Sequence, residues 1–432
     1  MTNLTIKYFL KYSWVILFNI ILVLYLSELV LTIFVKPQFN KYIDIDYLRY
    51  QRATELGVDF DKRTYYQAFF EEKKKEPTLS PKYSFTKEYW SSVIFGSDNP
   101  IQNFMQTHME NKNLIPLRGP INKKTLSCGE SGIRKIINND KYGFKNINSI
   151  YQKKIKVLLI GDSFTEGVCE DENNDIAGIL RNKFEINTSN LGISGGGPLL
   201  SLAALIEYGT NFKPDFVIYL YYEGNDMAEL NQSKETFLIN YLDDFKQNLI
   251  DRNDEVKEFL TDYENIAYKF IEEINVVVDD YNKFDAIEEE IKKSTEHKKI
   301  EIVKDFFELQ QVKNIFLVES FFNQNNNTID KELFTRVLKK MKSETAGWNG
   351  KFAVAYLPDW NRFNQKYSLV KFFHKKKIES IIKSLNISYI DIVQDFEKEE
   401  DPINFYPFGI RGHFTAAGYQ LVAESIFKNI TD

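Results

Sequence analysis

The side chains best placed to do chemistry begin with Ser163. It ends the run Lys156-Val157-Leu158-Leu159-Ile160-Gly161-Asp162-Ser163, an apolar segment that stops abruptly in Gly-Asp-Ser. A serine hydroxyl is a weak nucleophile at neutral pH. It needs a neighbouring base, and the oxyanion formed on attack needs fixed donors. Three later pieces offer them. Gly195, in Gly192-Ile193-Ser194-Gly195, has no Cβ to keep its backbone N–H away from a ligand. Asn225, in Gly224-Asn225-Asp226, carries an amide donor, and His413 brings an imidazole able to act as general base and then acid. Each piece also has a plainer use. Asp-Ser caps helices, Asn-Asp makes turns, and a loop histidine can cap the helix that follows. Gly195-Gly196-Gly197-Pro198 lacks the Lys-Ser/Thr that completes a phosphate-binding loop. Asp162 is expected to stabilise the turn that presents the serine rather than to react.

These residues must be positioned by a sheet. Short apolar runs at 155–160, 186–191, 215–222, 351–357 and 387–393 read as strands. Helical stretches near 174–184, 198–210, 366–385 and 415–429 alternate with them. Such a rhythm indicates βαβ units and a parallel sheet covered on both faces. Ser163, Gly195 and Asn225 then each follow a strand, and His413 precedes the last helix. All four are expected at one edge of the sheet, where open α/β folds place their ligands. Between about 228 and 348 the rhythm breaks into a helical insertion rich in Asp, Glu and Lys, with a short strand-like piece at 315–318. Its charge runs read as solvated helix faces. Residues 37–150 read as a stalk and irregular lead-in, and 151–432 as the main domain.

Composition excludes several classes. A net charge of −6 over 432 residues argues against a nucleic-acid surface, which needs clustered Lys and Arg. Four His and two Cys at scattered positions show no metal-ligand spacing, and no cofactor motif is present. His108, His297 and His374 are expected at the surface. Trp360 and Phe363, just after the fourth strand, suit either a carbohydrate pocket or the core.

Together the four pieces resemble the blocks of the SGNH (GDSL-type) esterase and acyltransferase superfamily, whose namesake residues would be Ser163, Gly195, Asn225 and His413. The resemblance covers about 155–230 tightly and 350–430 loosely. It implies a three-layer α/β/α fold of flavodoxin-like topology, no metal or organic cofactor, and a Ser-His-Asp or Ser-His unit acting on esters. Ser163, Gly195 and Asn225 would form the oxyanion hole. The stretch from Cys128-Gly129-Glu130-Ser131-Gly132 to Asp140-Lys141-Tyr142-Gly143-Phe144 is similar to the lead-in of membrane-anchored members linked to surface polysaccharides. The expected substrate is therefore an acylated carbohydrate or lipid. One departure matters: where the family carries an aspartate just before its histidine, this chain has Ile410 and Arg411. Asp401, Asp395 and Asp391 are the candidate acids, Asp401 first among them, unless a backbone carbonyl orients His413. Arg411 suits an ion pair with Asp401, an anionic substrate group, or simple exposure.

The N-terminal segment Tyr12–Val35 is apolar and about long enough to span a bilayer as a helix, interrupted by Glu28. Residues 1–36 are therefore read as a single membrane anchor, with a short cytoplasmic N-terminus and the bulk outside (periplasmic). In that compartment Cys128 and Cys169 would be free to pair; otherwise they are two buried thiols.

Overall fold

The computed structural model describes residues 3–34, 44–82, 104, 107–108, 111–278, 284–285, 287, 304, 306–309, 312, 329–364 and 369–431. Two compact units divide the chain. One comprises Met1–Tyr47 with Lys283–Asn325, the other Leu48–Asn282 with Asn326–Asp432.

In the larger unit a five-stranded sheet runs β5-β4-β6-β7-β8. Its strands are β4 (Val157–Gly161), β5 (Thr188–Gly192), β6 (Phe216–Tyr222), β7 (Lys351–Leu357) and β8 (Ser388–Asp391). All four pairings are parallel. Every expected strand is present, although the last is shorter because Ile392–Glu397 turns into a helix. Alternation along the strands sends side chains to two separate cores. Leu158, Ile160, Val217, Tyr219, Tyr221, Val354 and Tyr356 pack on one face, and Val157, Leu159, Ile218, Leu220, Ala353, Ala355 and Leu357 on the other. Helices Pro198–Ala204 and Lys331–Ala346 cover the first face; Ile176–Asn182 and Ala416–Thr431 cover the second. The result is the three-layer α/β/α arrangement expected from the strand-helix rhythm.

The insertion between β6 and β7 is largely helical among the described residues, but it is not merely a solvated appendage. Val256, Phe259, Leu260, Tyr263 and Ala267 recur at helical spacing on Asn253–Val278 and are buried in the first core. The strand-like piece at 315–318 and His297 lie outside the described residues. Nor is the lead-in a free stalk. Leu114, Ile115, Leu117 and Phe144 join the main core. A second sheet, β1 (Leu79–Ser80), β2 (Lys124–Leu126) and β3 (Ile136–Asn138), packs with helix Tyr65–Lys75 around Phe69. Prolines and charge runs suggested a stalk, but the apolar residues between them find buried partners.

In the smaller unit, helix Asn3–Phe34 holds a span, Tyr12–Val30, long and apolar enough to cross a membrane, as a signal sequence also can be. Glu28, the awkward carboxylate in that span, is buried and accepts the Val312 N–H at 2.7 Å. Tyr25 packs on Phe306, with ring centroids 5.6 Å apart.

Candidate active site

Ser163 opens a one-turn helix directly after β4, and Asp162 caps it by accepting the Phe164 N–H at 2.9 Å. Asp162 is therefore structural, as expected. His413 lies in the loop before the last helix, and its Nε2 is 2.8 Å from Ser163 Oγ. Two residues 250 positions apart are thus in hydrogen-bonding contact. Phe164 packs on the imidazole at 4.8 Å and on Phe414 at 4.8 Å, which limits how far the ring can tilt.

The acid beside the histidine corrects the sequence reading. Both carboxylate oxygens of Glu130 lie 3.2 Å from His413 Nδ1, and Glu130 Oε2 also accepts the His413 backbone N–H at 2.7 Å. Asp401 is exposed, and its carboxylate accepts from Asn404 instead. Asp395 is taken by Lys398 and Ser425, and Asp391 by Lys375 and Gln394. The physical reason is the route of the chain. The lead-in returns to the sheet edge and occupies the place a neighbour of His413 would otherwise fill. Gly412 permits this approach, because a Cβ there would sit 2.7 Å from Glu130 Oε2. Arg49, on helix Ile45–Leu56, braces the arrangement from behind. Its Nη2 is 3.4 Å from Glu130 Oε1 and donates to the Arg411 carbonyl at 2.5 Å. The Arg411 side chain itself is exposed.

Electrostatics agree with the geometry. Burial opposes the charged form of Glu130, but His413 and Arg49 outweigh it and hold the carboxyl down at about 2. Burial likewise disfavours a charged imidazole, yet Glu130 wins and His413 is raised above its ordinary value. One signal could have found Glu130. Cys128 and Cys169 form a disulfide, with Cα atoms 4.8 Å apart. Glu130 is two residues from one cysteine and Ser163 six from the other. Pairing of the cysteines therefore implies that Glu130 lies near the nucleophile.

The three expected donors have the following surroundings. Gly195 has φ +73° at the third position of a tight turn closed by Gly196 N–H to Ile193 O at 2.9 Å. Among the described residues, neither the Ser163 nor the Gly195 N–H donates to a protein acceptor. Asn225 follows β6; its Nδ2 donates to Glu229 Oε1 at 2.7 Å, and the amide is close enough to Asp162 to lower that carboxyl. Oxygens of Asp162, Asp226 and Glu229 lie within 4.8 Å of one another. Burial, then the neighbouring Asp162, pushes Asp226 well above the carboxylate range, and burial lifts Asp162 to about 6. The remaining candidates are engaged elsewhere in the fold. Trp360 is buried in the second core, with its indole N–H on the Gly409 carbonyl, and Phe363 packs beside it. His374 is half-buried against the Tyr221 hydroxyl rather than exposed, and His108 bonds the Phe104 carbonyl.

No protein-family model and no curated protein matches the chain. Solved structures do. A member of the lipolytic protein G-D-S-L family from Veillonella parvula DSM 2008 matches at 12% identity and TM-score 0.33, over 64% of this chain and 98% of that one. A GDSL-like lipase from Bacteroides thetaiotaomicron VPI-5482 matches at 12% and 0.33, over 77% and 98%. An acetyl xylan esterase, AlAXEase, matches at 12% and 0.36, over 64% and 100%. The chain is similar to GDSL-type hydrolases of known structure.

Proposed function

We propose that the protein is a serine ester hydrolase or O-acyltransferase using Ser163, His413 and Glu130. The observation that carries this reading is the continuous chain from Ser163 Oγ through His413 to Glu130 at 2.8 and 3.2 Å. His413 takes the serine proton as Oγ attacks an acyl carbonyl and gives it to the ester's alcohol oxygen as that bond breaks, leaving an acyl-serine, while Glu130 stabilises the imidazolium and fixes its tautomer. The Ser163 and Gly195 N–H groups, with the Asn225 amide, hold the oxyanion. The acyl group then passes to water or to a sugar hydroxyl, with His413 moving the acceptor's proton to Ser163 Oγ. The proposed substrate is an acyl ester, acetyl first, of a cell-surface carbohydrate met outside the cytoplasm. A disulfide beside the site and an apolar N-terminal helix both suit that location. A non-catalytic scaffold of a polysaccharide assembly complex is the alternative from another class, and the carboxylate of Glu130 beside His413 supports the enzyme over it. A long-chain lipase uses the same groups and differs in its acyl pocket.

The full chain in detergent decides among these. Labelling by a fluorophosphonate that is lost in Ser163→Ala, with turnover of p-nitrophenyl acetate but not of the palmitate ester, supports the reading. Preference for palmitate favours the lipase, and the absence of both labelling and turnover refutes the enzyme.

A further inference from the structure

Glu166 lies three residues after Ser163 on the same helical turn and is fully buried. Its Oε1 is held by Arg118 Nη2 at 2.6 Å and Lys82 Nζ at 2.7 Å. Its Oε2 accepts the Ser194 N–H at 3.1 Å and the Ser194 hydroxyl. As a stability device this cluster is poor. Buried ion clusters are often no better than packed apolar groups. Here two cations also meet one carboxylate, and among the described residues Arg118 Nε and Nη1 have no hydrogen-bond partner. What the cluster does fix is Ser194, through the N–H of the Ile193–Ser194 peptide and through the side-chain hydroxyl. Ser194 and Gly195 are the central pair of the turn closed by Ile193 and Gly196. Turns with φ > 0 at the third residue differ from the commoner kind by a flip of the peptide between those two residues. That flip reverses the Gly195 N–H.

We propose that Glu166 is a positioning residue for the oxyanion hole: by holding the Ile193–Ser194 peptide N–H and the Ser194 hydroxyl, it anchors the residue about which the next peptide turns, and so keeps the Gly195 N–H facing the same acceptor as the Ser163 N–H. Arg118 and Lys82 lock the carboxylate from the other side. This role rests on the esterase reading. One short helix then carries both the nucleophile and the brace for its partner donor, so their separation is set by a single rigid element. A donor that needs no reorganisation at the moment of attack is worth far more than one that must turn.

The test uses the full chain in detergent, comparing wild type with E166Q and S194A on p-nitrophenyl acetate and with a boronic acid that mimics the tetrahedral adduct. Glutamine keeps the contact with Arg118 but its amide nitrogen cannot accept from Ser194. For E166Q the expected result is a fall in kcat on the order of 10²-fold with KM changed less than about threefold. Boronate affinity should fall in parallel with kcat/KM. S194A, which loses the hydroxyl but keeps the N–H, should lose about tenfold in kcat, and the double variant should be no worse than E166Q. A folded E166Q with wild-type kcat, or with reduced kcat but unchanged boronate affinity, overturns the role. Should E166Q not fold, S194A decides alone, since unchanged kcat there overturns it too. Wild type that neither turns over nor labels overturns the esterase reading, and this role with it.

Discussion

In the proposed mechanism Glu130 is the residue on which the chemistry turns. It arrives from outside the βαβ core, and its carboxylate meets both the ring and the backbone of His413. Replacing it with glutamine should lower kcat by up to about 10⁴ through lost tautomer control. The surviving activity has a further signature. Glu130 raises His413, so without it the acidic limb of the kcat/KM profile should move to lower pH even as the plateau drops. A limb that stays in place would detach Glu130 from the histidine. Stability follows the same pair. Because His413 is raised in the folded state, its contribution is full below the unfolded value of 6.5 and is lost as pH climbs through the folded one. Glu130 is depressed, so its contribution is present above 4.5 and is lost as pH falls towards about 2. The Tm gap between wild type and E130Q should therefore be widest between pH 4.5 and 6.5, as thermal melts across pH would show.

At the scale of elements, the disulfide joins the lead-in to the segment that follows the nucleophile. The Ser127 hydroxyl accepts the Cys169 N–H at 3.2 Å, which ties the same two strands of chain a second time. With the cysteines 41 positions apart, the bond contributes about 4 kcal/mol in the chain-entropy account. The double variant C128S/C169S should unfold at correspondingly lower denaturant concentration. It should also lose more kcat than KM, since the loop it frees carries Glu130. Full activity in that variant would show that Arg49 and the backbone contact suffice. The helices of the insertion tell a similar story about elements. Their charged residues were legible as solvent faces, but Phe334, Val337 and Leu338 on Lys331–Ala346 pack against the sheet and make the insertion part of the core.

For the molecule as a whole, helix Asn3–Phe34 predicts how the protein partitions. The full chain should stay with membranes through a carbonate wash, whereas a variant lacking residues 3–34 should move to the soluble fraction; release of the full chain would argue for a cleaved signal instead. The topology was implied only by the family resemblance, whereas the parallel sheet and the setting of Ser163, Gly195 and Asn225 each just after a strand were legible in the sequence, because strand and helix periods are local properties of the chain. So was the setting of His413 before the last helix. The acid was not. Nothing in the spacing of Asp391, Asp395 or Asp401 distinguished them from Glu130, because which carboxylate reaches an imidazole depends on how distant segments pack. Tertiary structure alone decided that a loop nearly three hundred residues away, braced by Arg49 and admitted by Gly412, fills the place beside His413. Local pattern fixes where each element ends, whereas the contact between two ends is a property of the packed whole.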